Sequence, residues 1–403
     1  MRAYERFLKY VNIDTTANSA SATCPSSPNQ LVLGAELVKE MKEMGIADAR
    51  MDEYGYVYGS IPANTENQPA IGLIAHMDTA EDAPASPMNA HIVENYQGGD
   101  LVMDEEGKNI LRQSEYPMLA NYIGHDLIIT DGNTLLGADD KAGIAEIMTF
   151  AEQVLNNPSL KHGRIAIGFT PDEEIGRGPD HFDYKGFGAD FAYTLDGGPL
   201  PEIECENFNA ASASFEITGV STHPGGAKGR MKNAALIAAE LINMMPPAER
   251  PEHTAGYEGF YHLVGMSGSV EKAKLGFIIR DHDMTKFTAR KAFVERAAAY
   301  LNEKYGAGTV KLELKDSYFN MLEAMKPNMH VMTRAEEAIR KIGFEPRRRA
   351  IRGGTDGATL TNNGLPCPNL PTGGMFAHGR RECICIQEMD KIVEMIEKII
   401  CVD

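Results

Sequence analysis

Residues 163–176 read GRIAIGFTPDEEIG, an apolar run that ends abruptly in Asp172, Glu173 and Glu174. Adjacent carboxylates at the tip of a buried strand repel each other and are costly to desolvate, so they require either solvent or a cation. Comparable groups follow other strand-like runs. AIGLIA (70–75) leads into HMDT, which supplies His76 and Asp78; FAYTL leads into Asp196; LLGADDKAG (135–143) carries Asp139 and Asp140 toward a helix. Open α/β sheets gather ligands at the carboxyl ends of their strands, so groups far apart in sequence can converge there. His76 and Asp78 are two apart and share a face if the strand continues; a carboxylate beside a histidine fixes the ring tautomer and raises its basicity toward a metal. One histidine among several carboxylates suits zinc, manganese or cobalt. A carboxylate shared between two such ions is the usual design of a co-catalytic site. Alone, PDEE reads as a solvated turn and H-x-D as chance; several clusters at equivalent positions weigh against both.

The elements that must position these groups alternate. Helical periodicity covers 31–44, with Gly45 as the residue after the C-cap, and again 141–155. Short continuous apolar runs at 70–75, 164–170 and 190–196 read as strands buried on both faces. Strands alternating with helices indicate an α/β sheet with parallel content. Near Asn207 the pattern changes. A strand at 210–220, a helix at 233–245, strands at 261–270 and 274–281, a helix at about 285–304 and a strand at 309–316 give the order β-α-β-β-α-β, a split-βαβ arrangement. Helices near 328–342 and 386–400 then resume the first style. The organisation is a catalytic domain at 1–207 and 321–403, interrupted by a smaller one at 208–320.

At 403 residues the chain is long enough for two domains and a large core. Its net charge of -18 makes it a poor partner for nucleic acid or anionic membranes. Arg347-Arg348-Arg349 is read as a solvated face. The six cysteines show no C-x-x-C pair, and Cys383 and Cys385 read as one face of a strand. The charged N-terminal segment lacks the apolar centre of a signal peptide, and no run reaches membrane-span length, so a reduced, cytoplasmic setting is expected. The chain contains no HExxH, GxSxG, GxxxxGK[ST] or GxGxxG, which removes the commonest zinc-protease, esterase, P-loop and dinucleotide signatures.

In order and spacing, IGLIAHMDTA, ADDKAG and GFTPDEEIG resemble the signatures of the M20 metallopeptidases. ECENFNAAS, STHPGGAKGRMKNAA, FIIRDHD and IRGGTDGA are similar to the family's aminotripeptidase branch rather than to its deacylases. The resemblance runs over essentially the whole chain. It implies a zinc-peptidase-like catalytic domain with a mixed sheet flanked by helices, plus an inserted α+β lid or dimerisation domain, and a homodimer through that insert. It implies two zinc ions per subunit, with manganese or cobalt as substitutes, held by His76, Asp139 as the shared ligand, Glu174, Asp196 and His378. Glu173 is implied as general base and Asp78 as the carboxylate that orients His76. His223 is implied to stabilise the oxyanion, and Arg280 and Arg352 to be candidates for the substrate's C-terminal carboxylate. The reaction so implied is removal of the N-terminal residue from tripeptides by a metal-bridged water. Other M20-type hydrolysis (a dipeptidase, carboxypeptidase or N-acyl amino-acid deacylase) and a non-catalytic relative are the alternatives. Because both glutamates of PDEE must reach one cleft, the backbone is expected to leave strand geometry there.

Overall fold

Ile71–His76 and Ile165–Thr170 are buried at every position, as continuous apolar runs require of central strands. They pair in parallel, with His76 opposite Thr170. Phe191–Gly197 pairs in parallel with the other side of Ile71–His76, and Asn369–Pro371 continues the parallel set. Antiparallel strands flank this centre. The full order of the eight-stranded sheet is Arg50–Met51, Val57–Ile61, Ile165–Thr170, Ile71–His76, Phe191–Gly197, Asn369–Pro371, Glu202–Asn207 and Arg347–Ile351. The sheet is therefore mixed, as expected, and its four parallel strands end on the same side.

This computed structural model describes residues 1–402. Contacts divide it into two units. The first comprises Met1–Cys205, Glu323–Arg349 and the chain from Thr355 onward; the second comprises Glu206–Leu322 and Ala350–Gly354. The short segment 350–354 thus groups with the second unit, although the sequence reading left it with the catalytic part. The reason is local. His282 Nε2 lies 3.0 Å from the Ile351 carbonyl, and Arg352 donates to the Gly256 and Glu258 carbonyls.

In the first unit, helix Asn29–Glu43 ends where its sequence says it should. Gly45 has φ +99°, its N–H donates to the Lys42 carbonyl, and the Ile46 N–H donates to the Met41 carbonyl. This pair of bonds closes the helix and needs a left-handed residue. Helix Ala138–Asn156 presses so closely on Phe191–Gly197 that a Cβ at Gly143 would lie 2.1 Å from the Leu195 carbonyl oxygen. Glycine is what lets this helix start beside Asp196. The long stretch between Asp78 and Asp139 adds Leu127–Ile129 and His91–Val93 to a second, four-stranded sheet with Gly374–Met375 and Cys383–Cys385. Both cysteines of that strand are buried. The arginine triplet is exposed but not idle: Arg347 and Arg349 both pair with the buried Glu202, and Arg348 pairs with Glu336 at 2.6 Å.

The second unit is a four-stranded antiparallel sheet ordered Phe260–Gly268, Lys272–Asp281, Asn209–Thr218 and Val310–Tyr318, with helices Ala234–Met244 and Met284–Tyr305. Asn209–Thr218 alternates buried and exposed residues along most of its length, and its inward side chains, Phe215 and Ile217 among them, join Leu241, Phe277 and Leu301 in a separate core. That core gives the unit its own reason to fold. Among the described residues no helix is long and apolar enough to cross a membrane.

Candidate active site

His76 is the last residue of its strand and is only 2% exposed. Its backbone N–H donates to Asp140 Oδ2 at 3.1 Å, and its Nδ1 lies 3.1 Å from the Asp78 backbone carbonyl. A proton on Nδ1 satisfies that carbonyl and turns Nε2 toward the cleft. There Nε2 meets Asp139 Oδ1 at 2.8 Å and Asp196 Oδ1 at 3.5 Å. Burial alone would lower the imidazole pKa, but hydrogen bonds to Asp139, Asp196 and Asp78 outweigh it and hold the pKa well above the usual value.

The PDEE segment leaves strand geometry. Ile165–Thr170 stops, Asp172 takes φ +60°, Glu173–Ile175 form a single 3-10 turn, and Gly176 takes φ +72°. Two anchors impose this shape. Asp172 is buried and accepts the Ser26 N–H, the Ser26 hydroxyl and the Gln30 amide. Asp78, also fully buried, accepts the backbone N–H of Glu173 at 3.0 Å and of Glu174 at 3.1 Å. Asp78 Oδ1 is also 3.4 Å from His76 Nδ1. It therefore backs the histidine and also fixes the turn, a second contact that its position in H-x-D does not disclose. Burial, then the charge of Asp196, pushes the Glu173 carboxyl well above the ordinary carboxylate range. Glu174 is raised to about 7, chiefly by burial and by Asp139.

Asp139 opens helix Ala138–Asn156 in non-helical geometry, and the Asp139–Asp140 peptide is cis. Its carboxylate touches two histidines. Oδ1 faces His76, and Oδ2 lies 3.4 Å from His378 Nε2, which is also 2.9 Å from Glu174 Oε2. Burial opposes ionisation of Asp139, but hydrogen bonds from His378 and His76 prevail and hold its carboxyl below the usual range. Asp139 and Glu174 in turn raise the His378 imidazole to about 11.

Two sets of side chains of metal-binding type result: His76, Asp139 and Asp196 form one, and Asp139, Glu174 and His378 the other. In each set the ligand atoms lie within 4.8 Å of one another, and Asp139 belongs to both. Glu174 Oε1 is buried without a hydrogen-bond partner. Crowded carboxylates and an orphaned oxygen are the environment a divalent cation relieves, so the donor set fits metal ions. Beside Asp139 and Asp196 opens a cavity of about 300 Å³, lined among others by Met118, Pro199, Arg349, Met375 and Phe376.

Three supporting groups were not foreseen from the sequence. Asp140 accepts the His76 N–H. Thr355 donates its hydroxyl to Asp196 Oδ2 at 3.1 Å. Glu382 accepts three backbone N–H groups beside Asp139. The only sequence signal for Glu382 is an acidic residue closing the basic run HGRRE.

The remaining expected residues lie in the second unit. His223 is exposed, and its Nδ1 accepts the Gly225 N–H at 3.1 Å. Arg280 lies over the Tyr318 ring and donates Nη1 to the carbonyls of Ala211 and Ile279. Arg352 lies over Phe208 and Phe260 and commits both Nη groups to the loop at Thr254, Gly256 and Glu258.

Comparison with known proteins identifies the family. Residues 205–309 match the peptidase dimerisation domain of the M20 family. Peptidase T of Caldanaerobacter subterraneus subsp. tengcongensis is 54% identical over 99% of this chain and 98% of the relative, and that of Halothermothrix orenii is 52% identical over the same shares. The crystal structure of aminopeptidase PepT from Bacillus cereus superposes with a TM-score of 0.78 at 24% identity, covering 99% of this chain and 97% of the other. A dinuclear metal-binding M20 peptidase of Bacillus subtilis shares the fold with a TM-score of 0.63 at 12% identity, covering 98% and 97%. With half its residues identical to these relatives over nearly its full length, the chain belongs to the peptidase T family of M20 peptidases.

Proposed function

We propose that the basin centred on Asp139 hydrolyses the first peptide bond of tripeptides with Glu173 as the general base. The chain is an aminopeptidase, as its full-length likeness to peptidase T requires. The observation that carries the residue assignment is that two metal-sized groups share Asp139 while the adjacent Glu173 belongs to neither.

His76, Asp139 and Asp196 would hold one ion, and Asp139, Glu174 and His378 the other; two zinc ions suit this set, with manganese or cobalt as substitutes. Bound there, the ions supply Lewis acidity that polarises the scissile carbonyl and lowers the pKa of water. Glu173 takes the proton of the attacking water on its carboxylate and returns it to the leaving amine nitrogen. Asp78 keeps Glu173 and Glu174 on one turn, so one carboxylate binds while the other stays free. Water is the nucleophile, and no covalent acyl-enzyme forms.

His223 is assigned to the oxyanion. With Nδ1 accepting from Gly225, the ring proton resides on Nε2, which makes that atom a donor. Arg280 is favoured over Arg352 for the substrate's C-terminal carboxylate, because Arg352 has committed both terminal nitrogens to a loop whereas Arg280 has committed one. A guanidinium that binds that carboxylate would limit substrate length. The inserted unit is assigned to homodimer formation, supported by its match to a dimerisation domain. Cys24, Cys367, Cys383, Cys385 and Cys401 form no disulfide, which accords with a cytoplasmic location.

The test is a panel of unmodified di-, tri- and tetrapeptides and N-acetyl amino acids, assayed with chelator and after zinc is restored. Tripeptides are expected to be cleaved fastest, with activity abolished by chelation and recovered with zinc. Cleavage of acetylated amino acids in preference to tripeptides would refute the assignment. A tripeptide and its C-terminal amide cleaved at equal rates would remove the role of Arg280.

A further inference from the structure

We infer that Glu382 is a positioning residue that locks the Asp139 loop to the His378 loop and so makes the two metal-sized groups one unit. Glu382 is 2% exposed. One carboxylate oxygen accepts the N–H groups of Leu136 and Gly137, both at 2.7 Å, and the other accepts the N–H of Asp139 at 3.0 Å. Glu382 lies four residues beyond His378, just before the buried strand Cys383–Cys385. A single side chain therefore ties the backbone that presents the shared ligand to the segment that presents the most exposed one.

The arrangement calls for such a tie. Asp139 and Asp140 depart from helical geometry, so the first N–H groups of this segment are not all held by the helix itself. Phe376 and His378 both adopt left-handed φ near +60° without being glycine, a conformation that persists only where surroundings over-determine it. The Phe376 ring packs on Tyr116 with centroids 4.6 Å apart, and Glu382, after His378, bonds the Asp139 segment. Three charge-assisted bonds from one carboxylate leave the loop little freedom. A glutamine in its place would keep one good acceptor and turn an N–H₂ toward backbone N–H groups, so at least one donor would lose its partner. An aspartate keeps both acceptors but falls one methylene short.

The inference rests on the metal assignment above, and the experiment separates the two. Zinc content and zinc affinity are measured by competition with a chromophoric chelator for the wild type, E382Q and E382D, together with thermal midpoints of the metal-free proteins. A wild type that binds no zinc defeats the metal assignment itself. Given two zinc ions in the wild type, E382Q is expected to bind zinc about 10–100-fold more weakly, the usual cost of losing a group that orients ligands. E382D is expected to recover part of that loss. Unchanged zinc affinity in E382Q overturns the inference, whatever its melting temperature. Hydrogen exchange on the metal-free wild type tests the same point without any variant. The amides of Leu136, Gly137 and Asp139 are expected to be protected before zinc is added. Free exchange there, with protection only after zinc, overturns the inference, because the metals rather than Glu382 would then hold the loop.

Discussion

The two ligand groups are built from the same side-chain types but on different supports. His76 and Asp196 end neighbouring parallel strands, and their side chains are 2% and 10% exposed. Glu174 and His378 sit on a 3-10 turn and on a left-handed loop, and the His378 side chain is 48% exposed. Strand ends inherit the rigidity of the sheet, whereas loops must be fastened by other residues. In this protein Asp78 fastens the turn and Glu382 the loop. The first group should therefore hold its ion more tightly, and the second should exchange its ion faster.

Asp139 belongs to both groups, so Asp139→Ala has the largest expected effect. Zinc content should fall by more than one equivalent, and kcat/KM should drop by at least about 10³-fold, read by metal analysis and tripeptide cleavage. Next in size is Glu173→Gln, which lies outside both groups. It should lower kcat by about 10²–10⁴-fold with both ions retained; loss of metal with activity would show that Glu173 is a ligand instead. Single-ligand variants test the asymmetry directly. His378→Ala should lose the weaker equivalent and keep the tighter one, while His76→Ala should lose the tighter. The reverse order in a chelator titration would show that exposure does not set affinity here.

The smallest expected effect lies outside both groups and serves as their control. Burial raises the Glu388 carboxyl from 4.5 to about 7. Between those values the folded state binds more protons than the unfolded chain. The contribution of Glu388 to stability is thus complete below about pH 4.5 and is lost as pH rises through 7. Glu388→Gln should flatten this dependence, raising stability at pH 8 relative to pH 5 by on the order of 2 kcal/mol compared with the wild type. Denaturant midpoints of the metal-free proteins at both pH values measure it.

Much of this was legible before any coordinates. Apolar runs bounded by charge announced the central strands, because a strand buried on both faces has no polar side to show. The second unit declared itself through alternation, as in Asn209–Thr218, and through the order of its elements. The stretch from Asp78 to Asp139 was opaque. Its strands are two or three residues long, and Leu127–Ile129 finds its partners in His91–Val93 and Cys383–Cys385, one of them more than two hundred residues away. No periodicity survives at that length. Glu382 and Asp172 were missed for a related reason: Glu382 binds backbone N–H groups, which every sequence contains, and Asp172 binds Ser26 and Gln30, which lie far earlier in the chain.

What the sequence alone determined is the inventory: a histidine and several acidic clusters at strand ends, of types that suit divalent metals, while the separate roles of Glu173 and Glu174 came only through the family resemblance. The tertiary structure decided the division of labour. It set Asp139 between two histidines, turned Asp78 toward the Glu173 and Glu174 amides, committed Arg352 to a neighbouring loop, and gave Glu382 the backbone of the Asp139 segment. Hydrogen-bond partners depend on distances of a few ångströms between distant residues, and only the folded chain brings those residues within reach.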